Sequence, residues 1–198
     1  MHEPSPEELV RWCRRTLPED TSAFEALVRL YKRRVFAIAY RMMGNREEAE
    51  DQAQEAFLKI YRGVLKLENP AALPDWVRRV AVNTCLDALA RQKRRPPSAD
   101  EGELEDIDSA PAPAADGPGA AAERDELRRC LERALAGLGP DARRVIILRD
   151  VEDWPYDEIA AALGVELSAI KMRIHRARLA VRKLLERVCP GVARAARA

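Results

Sequence analysis

The sequence predicts an all-α protein: two small helical domains joined by a flexible acidic linker. Three observations lead to this prediction. Ala, Leu, Arg and Glu dominate a chain of 198 residues in which aromatic residues make up only 5%, and that composition favours helices over strands. Apolar residues recur at spacings of three and four on both sides of a stretch rich in Pro, Gly and acid. We therefore expect domains at 1–95 and 124–198, with the linker at 96–123.

The net charge of +1 conceals an uneven distribution along the chain. Residues 1–95 hold 18 Lys and Arg against 14 Asp and Glu, and residues 124–198 hold 16 against 11. Residues 96–123 hold 8 acids and no base, with only Leu104 and Ile107 as large aliphatic residues. Such a segment buries too little apolar surface to offset the entropy lost on ordering, which predicts a flexible linker. The basic flanks suit nucleic acid, which the acidic segment would repel or imitate.

The first domain is predicted to contain four helices. Apolar residues step by three and four along each predicted segment, which lines one helical face. The second segment has a candidate N-cap among residues 20–22 and a candidate stop at Gly44 and Asn45. Two prolines between Leu67 and Pro74 predict a loop there. The expected helices cover about 6–17, 46–66 and 75–92, and the second of the four has an apolar face that runs from Phe24 to Met42.

The second domain carries the most specific local pattern in the chain. Helices are expected near 123–137 and from Pro140 onward. A short helix over Tyr156–Leu163 then ends at Gly164, which can take the left-handed conformation of a tight turn. A further helix is expected to start near Ser168, its candidate N-cap. Two helices joined in this way have the spacing of a helix-turn-helix.

The last predicted helix is apolar on one side and cationic on the other. Ile170, Ile174 and Ala177 belong to a stripe that would pack on the preceding helices. Seven Lys and Arg lie off this stripe, opposed only by Glu186. Such a helix suits the major groove of DNA, where basic side chains attract phosphates and Arg can bind guanine through two hydrogen bonds. The alternative is a charge-rich helix that merely faces solvent.

Four stretches of the chain, two in each predicted domain, resemble the extracytoplasmic-function group of sigma factors in the sigma-70 family. EAEDQAQEAFL at 48–58 and WVRRVAVN at 76–83 are similar to motifs of the family's region 2. EIAAALG at 158–164 and AIKMRIHRAR at 169–178 are similar to its region 4. The stretches occur in the family's order, which is far more specific than a helix-turn-helix alone. The resemblance implies a non-enzymatic subunit that binds core RNA polymerase and directs it to promoters.

The resemblance also implies roles for particular residues. It implies that region 2 contacts the clamp helices of the polymerase β′ subunit and holds a flipped base of the −10 element near the loop 67–74. It implies that region 4 reads the −35 element and that the polymerase β flap is a further contact. The residues concerned are Asp51, Gln54, Glu55 and Phe57 for the polymerase; Trp76, Arg78, Arg79 and Asn83 for the −10 element; and Lys171, Met172, Arg173, His175, Arg176 and Arg178 for the −35 element.

The region 4 residues divide into two kinds. Arg173 and Arg178 are the better candidates for phosphate contacts. Ala169 and Met172 replace small polar residues of the family pattern, and Met172 offers contact with a thymine methyl instead of a hydrogen bond. This departure leaves the −35 preference open. The candidate base readers are Lys171, Met172, His175 and Arg176.

Several of these residues have a plainer interpretation. Trp76 would equally serve core packing, and the alternative for Asn83 is a hydrogen bond within its own helix. Asp51 and its polar neighbours would otherwise be ordinary residues of an exposed helix. His175 has no Cys or acid at ligand spacing beside it, so we expect no metal and no other cofactor.

The cysteines and the apolar pattern indicate a cytoplasmic protein. Cys13, Cys85, Cys130 and Cys189 lie far apart in sequence and form no C-x-x-C pair, so we expect reduced thiols. No apolar run approaches the roughly 18 residues of a membrane span. The polar start of the chain lacks the pattern of a signal peptide. We therefore expect no membrane insertion.

Two other functions compete with this interpretation. A free-standing transcriptional regulator would use the same helix-turn-helix and bind an operator tightly without polymerase. An enzyme such as a helical nucleotide hydrolase would need a phosphate-binding loop or acids on facing helices, and the sequence shows neither pattern.

The resemblance implies one further partner, an anti-sigma factor that covers the DNA- and polymerase-binding surfaces. It also implies that the acidic linker runs along the RNA-exit path of the polymerase, where its charge resembles that of a nucleic-acid backbone.

Overall fold

The computed structural model describes residues 4–92 and 118–190, with side chains from residue 126 onward in the second range. The chain divides into two units, Met1–Glu105 and Asp106–Ala198. Every regular element in the described ranges is helical, which confirms the all-α prediction for them. The linker predicted at 96–123 lies outside the described residues up to residue 117.

The first unit is a bundle of α-helices. Its second, third and fourth helices pack against one another in pairs, and the first helix packs on the second and on two 3-10 helical turns between the third and fourth. The large side chains Leu9, Leu27 and Ile60 are fully buried at its centre, and each contributes about 1.5–3 kcal/mol by leaving water. The elements are α1 (Pro6–Thr16), α2 (Ser22–Met43), α3 (Arg46–Gly63), the turns Val64–Lys66 and Pro70–Ala72, and α4 (Leu73–Gln92).

Local signals set most of the helix ends in this unit. Gly44 ends α2 at φ 86°, a left-handed conformation that a glycine adopts without a Cβ clash. The Asn45 side chain accepts a hydrogen bond from the backbone N–H of Glu48 at the start of α3. The N-cap of α2 is Thr21, which makes no side-chain cap hydrogen bond. Asp20 instead accepts hydrogen bonds from the N–H and hydroxyl of Ser22, which lower the pKa of Asp20.

The second unit is built around its last helix, which packs on each of the other three. An arginine stabilises the connection between the first two helices of this unit. Arg143 donates to the backbone oxygens of Leu135, Ala136 and Leu138 at 2.6–3.2 Å. These bonds satisfy carbonyls that the end of α5 leaves without helical partners. The elements are α5 (Pro118–Ala136), α6 (Pro140–Ile146), a π-helical turn (Ile147–Val151), α7 (Tyr156–Leu163) and α8 (Leu167–Val188).

The first helix of this unit begins earlier than the sequence pattern predicts. α5 starts at Pro118, five residues before the predicted start near Glu123 and within the segment assigned to the linker. Proline is pre-organised for the first position of a helix, and the alanines at 120–122 are strong helix formers. The Pro- and Gly-rich composition that predicts a linker therefore concealed a helix start.

The helix-turn-helix prediction is confirmed at the turn and wrong at the N-cap of the second helix. α7 covers Tyr156–Leu163 and ends at Gly164 with φ 63°, as predicted. The predicted N-cap Ser168 is wrong, since Glu166 occupies the N-cap and α8 begins at Leu167. No side chain bonds at that cap, so extended backbone at Glu166 marks the start of α8.

The prediction of four reduced thiols is wrong for one pair. Cys130 in α5 and Cys189 after α8 form a disulfide, with Cα atoms 5.9 Å apart and 59 residues apart in sequence. The packing of α8 on α5 brings them together, which sequence spacing does not reveal. Cys13 and Cys85 are free and buried. Burial raises the pKa of the Cys85 thiol from 9.0 to about 12.

The described residues contain neither a membrane-spanning helix nor a cluster of metal ligands. None of their helices combines the length and the apolar character that crossing a membrane requires. Among the same residues, no three His, Cys, Asp or Glu side chains gather as metal ligands would.

Candidate nucleic-acid interface

α8 is attached to the second unit along one narrow apolar side. Ile170, Ile174 and Ala177 are at most 2% exposed, and they fall within about 60° around the helix axis because each residue advances by about 100°. Val181 and Leu184 continue this stripe and are half-buried. The opposite side of the helix is left exposed.

The six predicted −35 residues are all exposed, but they occupy different sides of α8. Met172 and His175 lie nearly opposite the apolar stripe, and Arg176 lies next to Met172. Lys171 lies at one edge of the exposed side, in one row with Arg178, and Arg173 lies at the other edge. Met172 and His175 therefore point away from the unit more directly than the other four.

Arg178 already has a partner within the unit. Its Nε donates to Oδ2 of Asp150 at 3.0 Å, and its Nη2 donates to Oδ1 at 2.5 Å. These hydrogen bonds to Asp150 raise the pKa of Arg178 above its usual range. The pair ties the middle of α8 to the π-helical turn before α7. A guanidinium has five N–H donors, so Arg178 retains donors for a phosphate.

A second arginine fixes the approach to the helix-turn-helix. The Arg149 guanidinium lies 4.9 Å from the centre of the Tyr156 ring and donates to the backbone oxygen of Trp154 at 3.0 Å. It also donates to Oδ1 of Asp153 at 3.2 Å. Trp154 itself is buried. This network holds the start of α7 in a fixed place, and α7 in turn supports α8.

Leu179 is a residue that the sequence analysis missed. It is 46% exposed and lies on the same side of α8 as Met172 and His175, one turn beyond His175. The signal was present in the sequence, because Leu179 falls seven residues after Met172 and off the apolar stripe. It places an apolar surface in the middle of a cationic helix face.

Three of the four predicted −10 residues come together on α4. Trp76, Arg79 and Asn83 follow one another at spacings of three and four and therefore share one side of the helix. Arg79 and Asn83 are exposed, and Trp76 is half-buried. Arg78 lies on the other side of α4, where its side chain is 17% exposed and its Nη2 lies 3.4 Å from Oδ1 of Asp75.

The Trp76 indole packs closely on the end of α3. A Cβ added to Gly63 would lie 2.7 Å from Cζ2 of Trp76, so this approach requires a glycine. The loop before α4 is held nearby, because Nη2 of Arg14 donates to the Leu67 backbone oxygen at 2.5 Å. α4 begins at Leu73, two residues before its predicted start, so its first two residues lie in the segment predicted to be a loop.

The predicted polymerase-contact residues lie on α3. Asp51, Gln54 and Glu55 fall within about 100° of one another around the helix axis; the first two are exposed and Glu55 is half-buried. Leu58, which the sequence analysis did not select, lies between them and is 51% exposed. Phe57 is half-buried at the edge of this face.

Two side-chain pairs hold α3 and α4 in register. Nζ of Lys59 lies 3.0 Å from Oδ2 of Asp87, and Nε2 of Gln92 donates to Oε1 of Glu48 at 2.7 Å. The exposed face of α3 and the Trp76 side of α4 therefore belong to one fixed helix pair.

Each of the two units contains a range that matches the model of a known protein family. Residues 27–95 match the model of Sigma-70 region 2. Residues 128–181 match the model of Sigma-70, region 4. The matches lie in the two units and in the order that the sequence motifs indicate.

Curated relatives align over most of the chain. The RNA polymerase sigma-H factor of Pseudomonas aeruginosa is 33% identical over 84% of this chain and 88% of its own length. The ECF RNA polymerase sigma-E factor of Escherichia coli is 34% identical over 82% and 86%. The ECF RNA polymerase sigma factor SigE of Mycolicibacterium smegmatis is 36% identical over 82% of this chain, which spans 62% of the length of that relative.

A solved structure shares the fold. It is the sigma factor RpoE of Bartonella quintana in complex with the anti-sigma factor NepR, which aligns with 82% of this chain and 96% of its own at a TM-score of 0.53 and 23% identity.

Proposed function

The chain belongs to the extracytoplasmic-function group of the sigma-70 family, and from that premise we propose how its two units divide the work of transcription initiation. Members of this family are initiation factors of RNA polymerase. The first unit binds core polymerase and the −10 element, and the second unit reads the −35 element. The observation that carries this proposal is the exposed basic face of α8, opposite a buried stripe in a helix-turn-helix.

The polymerase contact is assigned to the exposed face of α3. Asp51, Gln54 and Glu55 surround Leu58, whose 51% exposure leaves an apolar centre within a polar rim. Protein interfaces commonly have this arrangement, and a few central side chains supply most of the binding energy. The clamp helices of the polymerase β′ subunit are the partner proposed for this face, and the β flap is a partner of the complex as well.

The −10 element is assigned to the row on α4. The half-buried Trp76 can stack on a base that leaves the duplex, and the Asn83 amide can hydrogen-bond to a base edge. Arg79 lies between them and suits a phosphate. Arg78 lies on the other side of the helix and would reach only a strand that passes there.

The −35 element is assigned to the start of α8. Met172 and His175 face away from the unit, with Lys171 and Arg176 beside them, so these four meet the base edges in a major groove. Arg173 and Arg178 at the two edges of the face suit phosphates on either side of the groove. The apolar Met172 favours a thymine methyl at its position.

Regulation is proposed to work through a protein partner. An anti-sigma factor would cover the α3 and α8 faces together, and a flexible linker between the two units, before α5 begins at Pro118, would let both faces reach it. The acidic linker would follow the RNA-exit path when the chain is bound to polymerase. A chain that binds RNA polymerase and promoter DNA in this way would act in the cytoplasm.

Transcription from a promoter library tests this function. Core RNA polymerase with the full chain should initiate selectively at sequences that share −35 and −10 elements. Arg176→Ala should relax one −35 position, and Asn83→Ala should relax one −10 position. Initiation without sequence preference by the wild-type complex would overturn the assignment of both readers.

A further inference from the structure

Cys130 and Cys189 tie the two ends of the second unit's fold together. Cys130 is 1% exposed on α5, and Cys189 is 6% exposed directly after the last residue of α8. The loop closed by this disulfide contains α6, α7 and the whole of α8. The covalent bond therefore fixes the end of α8 against the side of α5.

A basic side chain contacts both sulfurs. Nη2 of Arg133 lies 3.3 Å from Sγ of Cys189 and 3.6 Å from Sγ of Cys130. A guanidinium beside a cysteine stabilises its thiolate, which is the reactive form and the better leaving group in thiol–disulfide exchange. Whichever sulfur is released from the bond would therefore find a positive charge within hydrogen-bonding distance.

The other two cysteines lack this environment. Cys13 and Cys85 are buried, and burial raises the pKa of both thiols, that of Cys85 to about 12. Such thiols are poor nucleophiles at neutral pH. The chain thus contains one pair of cysteines placed for exchange chemistry. Cys13 and Cys85 stay as thiols and provide a constant count against which that pair is measured.

We propose that Cys130 and Cys189 form a reversible thiol–disulfide exchange site whose substrates are low-molecular-weight thiols and their disulfides. Its reduction removes the covalent link between the end of α8 and α5. The exchange site needs no part of the proposed function, although its effect on promoter reading rests on the assignment of α8 to the −35 element.

The exchange proceeds in two balanced steps. A substrate thiolate attacks Sγ of Cys189, the more exposed residue of the pair, forms a mixed disulfide there, and breaks the bond to Cys130, which leaves as a thiolate beside Arg133. A second substrate thiolate attacks the mixed disulfide, releases the substrate disulfide, and leaves Cys189 as a thiolate. Each thiolate takes up a proton from water. Two substrate thiols are oxidised to one disulfide, and the protein disulfide is reduced to two thiols.

Reduction would loosen one end of α8 and leave the other in place. The end of α8 is also held where Leu184 packs on Gly137, since an added Cβ there would lie 3.1 Å from Cδ2 of Leu184. The middle keeps the buried stripe and the pair between Arg178 and Asp150. We therefore expect the reduced protein to remain folded and to have a less stable second unit.

Thiol counting in glutathione buffers tests the proposal on the full chain. After equilibration at varied ratios of reduced to oxidised glutathione, the chain is denatured and treated with a maleimide reagent that adds mass at each free thiol. We expect two reactive thiols in oxidising buffer and four in reducing buffer. The change should occur at the same glutathione ratio whether the chain starts reduced or oxidised. In Cys130→Ser, a mixed disulfide with glutathione should appear on Cys189.

Two variants examine the role of the guanidinium. Arg133→Gln should slow reduction by glutathione at least about threefold, whereas Arg129→Gln, at an exposed position of the same helix, should not. Reduction should also lower the Tm of the second unit by roughly 10 °C or more, because the bond closes a long loop.

Three results would overturn the proposal: four reactive thiols in every buffer, two reactive thiols in every buffer, or equal reduction rates for both arginine variants. None of these measurements uses polymerase or DNA. Failure of the exchange site would therefore leave the proposed function untouched, and failure of promoter selection would leave the thiol counts unchanged.

Discussion

At the scale of single residues, partners rather than residue types distinguish the arginines on the exposed side of α8. The sequence identifies six candidates by their position in α8, and all of them are exposed. Only the structure shows that Arg178 bonds to Asp150, 28 residues away. No local pattern predicts such a pair, because it depends on how the π-helical turn meets α8.

Removal of the Asp150 carboxylate tests this pair. Both side chains are partly exposed, 49% for Arg178 and 33% for Asp150, so solvent screens the attraction. We expect Asp150→Asn to lower the free energy of unfolding by about 0.5–1 kcal/mol at low salt and by less at high salt. Urea unfolding at two salt concentrations measures this. Asp153→Asn, at a carboxylate that is 88% exposed, is the matched control, and an equal loss in both variants would contradict the assignment.

The contact between Gly63 and Trp76 gives a second prediction. Alanine would favour the helix by about 0.5–1 kcal/mol over glycine, but its Cβ would meet the indole at 2.7 Å. We expect crowding to outweigh propensity, so that Gly63→Ala destabilises the first unit by about 1 kcal/mol and shifts tryptophan fluorescence. Gly139→Ala, whose added Cβ meets nothing within 4 Å, should leave the fluorescence unchanged. A more stable Gly63→Ala variant with unchanged fluorescence would contradict the contact.

The buried thiol of Cys85 predicts a loss of stability at alkaline pH. Its pKa is 9.0 when the chain is unfolded and about 12 when folded, because burial disfavours the thiolate. The stabilisation from this group is therefore complete below pH 9 and is lost as the pH rises toward 12, at about 1.4 kcal/mol per pH unit. Urea unfolding between pH 8 and 10.5 should show a shallower decline for Cys85→Ala than for the wild type. Identical slopes would show that Cys85 does not titrate in this way.

At the scale of helices, the apolar period predicts which side is buried but not which exposed residues form an interface. The stripe on α8 is found where the sequence places it, since Ile170 and Ile174 are buried. Leu58 and Leu179 lie off the buried stripes of their helices, so the period indicates exposure for them but no contact. The extent of that exposure, 51% and 46%, becomes visible only once the packing is known. The predicted N-cap at Ser168 was wrong because α8 starts after the extended backbone of Glu166, without a capping side chain. The sequence pattern looks for a capping side chain and does not detect such a start.

The exposed leucine of α3 can be tested by itself. Because Leu58 is half-exposed, Leu58→Ser should change the free energy of unfolding by less than about 0.5 kcal/mol. If it is central to the polymerase interface, the affinity for core polymerase should fall about tenfold or more. Leu30→Ser on α2, at 39% exposure, is the matched control. Equal affinities for the two variants would remove Leu58 from the interface.

At the scale of the whole molecule, the sequence predicts two helical units because helical periodicity and composition are local properties. The motifs at 48–58, 76–83 and 158–178 lie within the ranges that match the two family regions. The disulfide is a different case. It joins residues 59 apart, and only the packing of α8 on α5 brings its cysteines close. Features that depend on distant pairs had to come from the structure.

The measurement that tests the central claim most directly compares DNA affinity with and without polymerase. A duplex promoter fragment from the library selection is titrated with the full chain alone and with its complex with core RNA polymerase. We predict weak, salt-dependent and unselective binding by the chain alone, and tight, sequence-selective binding by the complex. Tight and selective binding by the chain alone, with no complex formed with core polymerase, would contradict the sigma-factor assignment and point to a free-standing regulator.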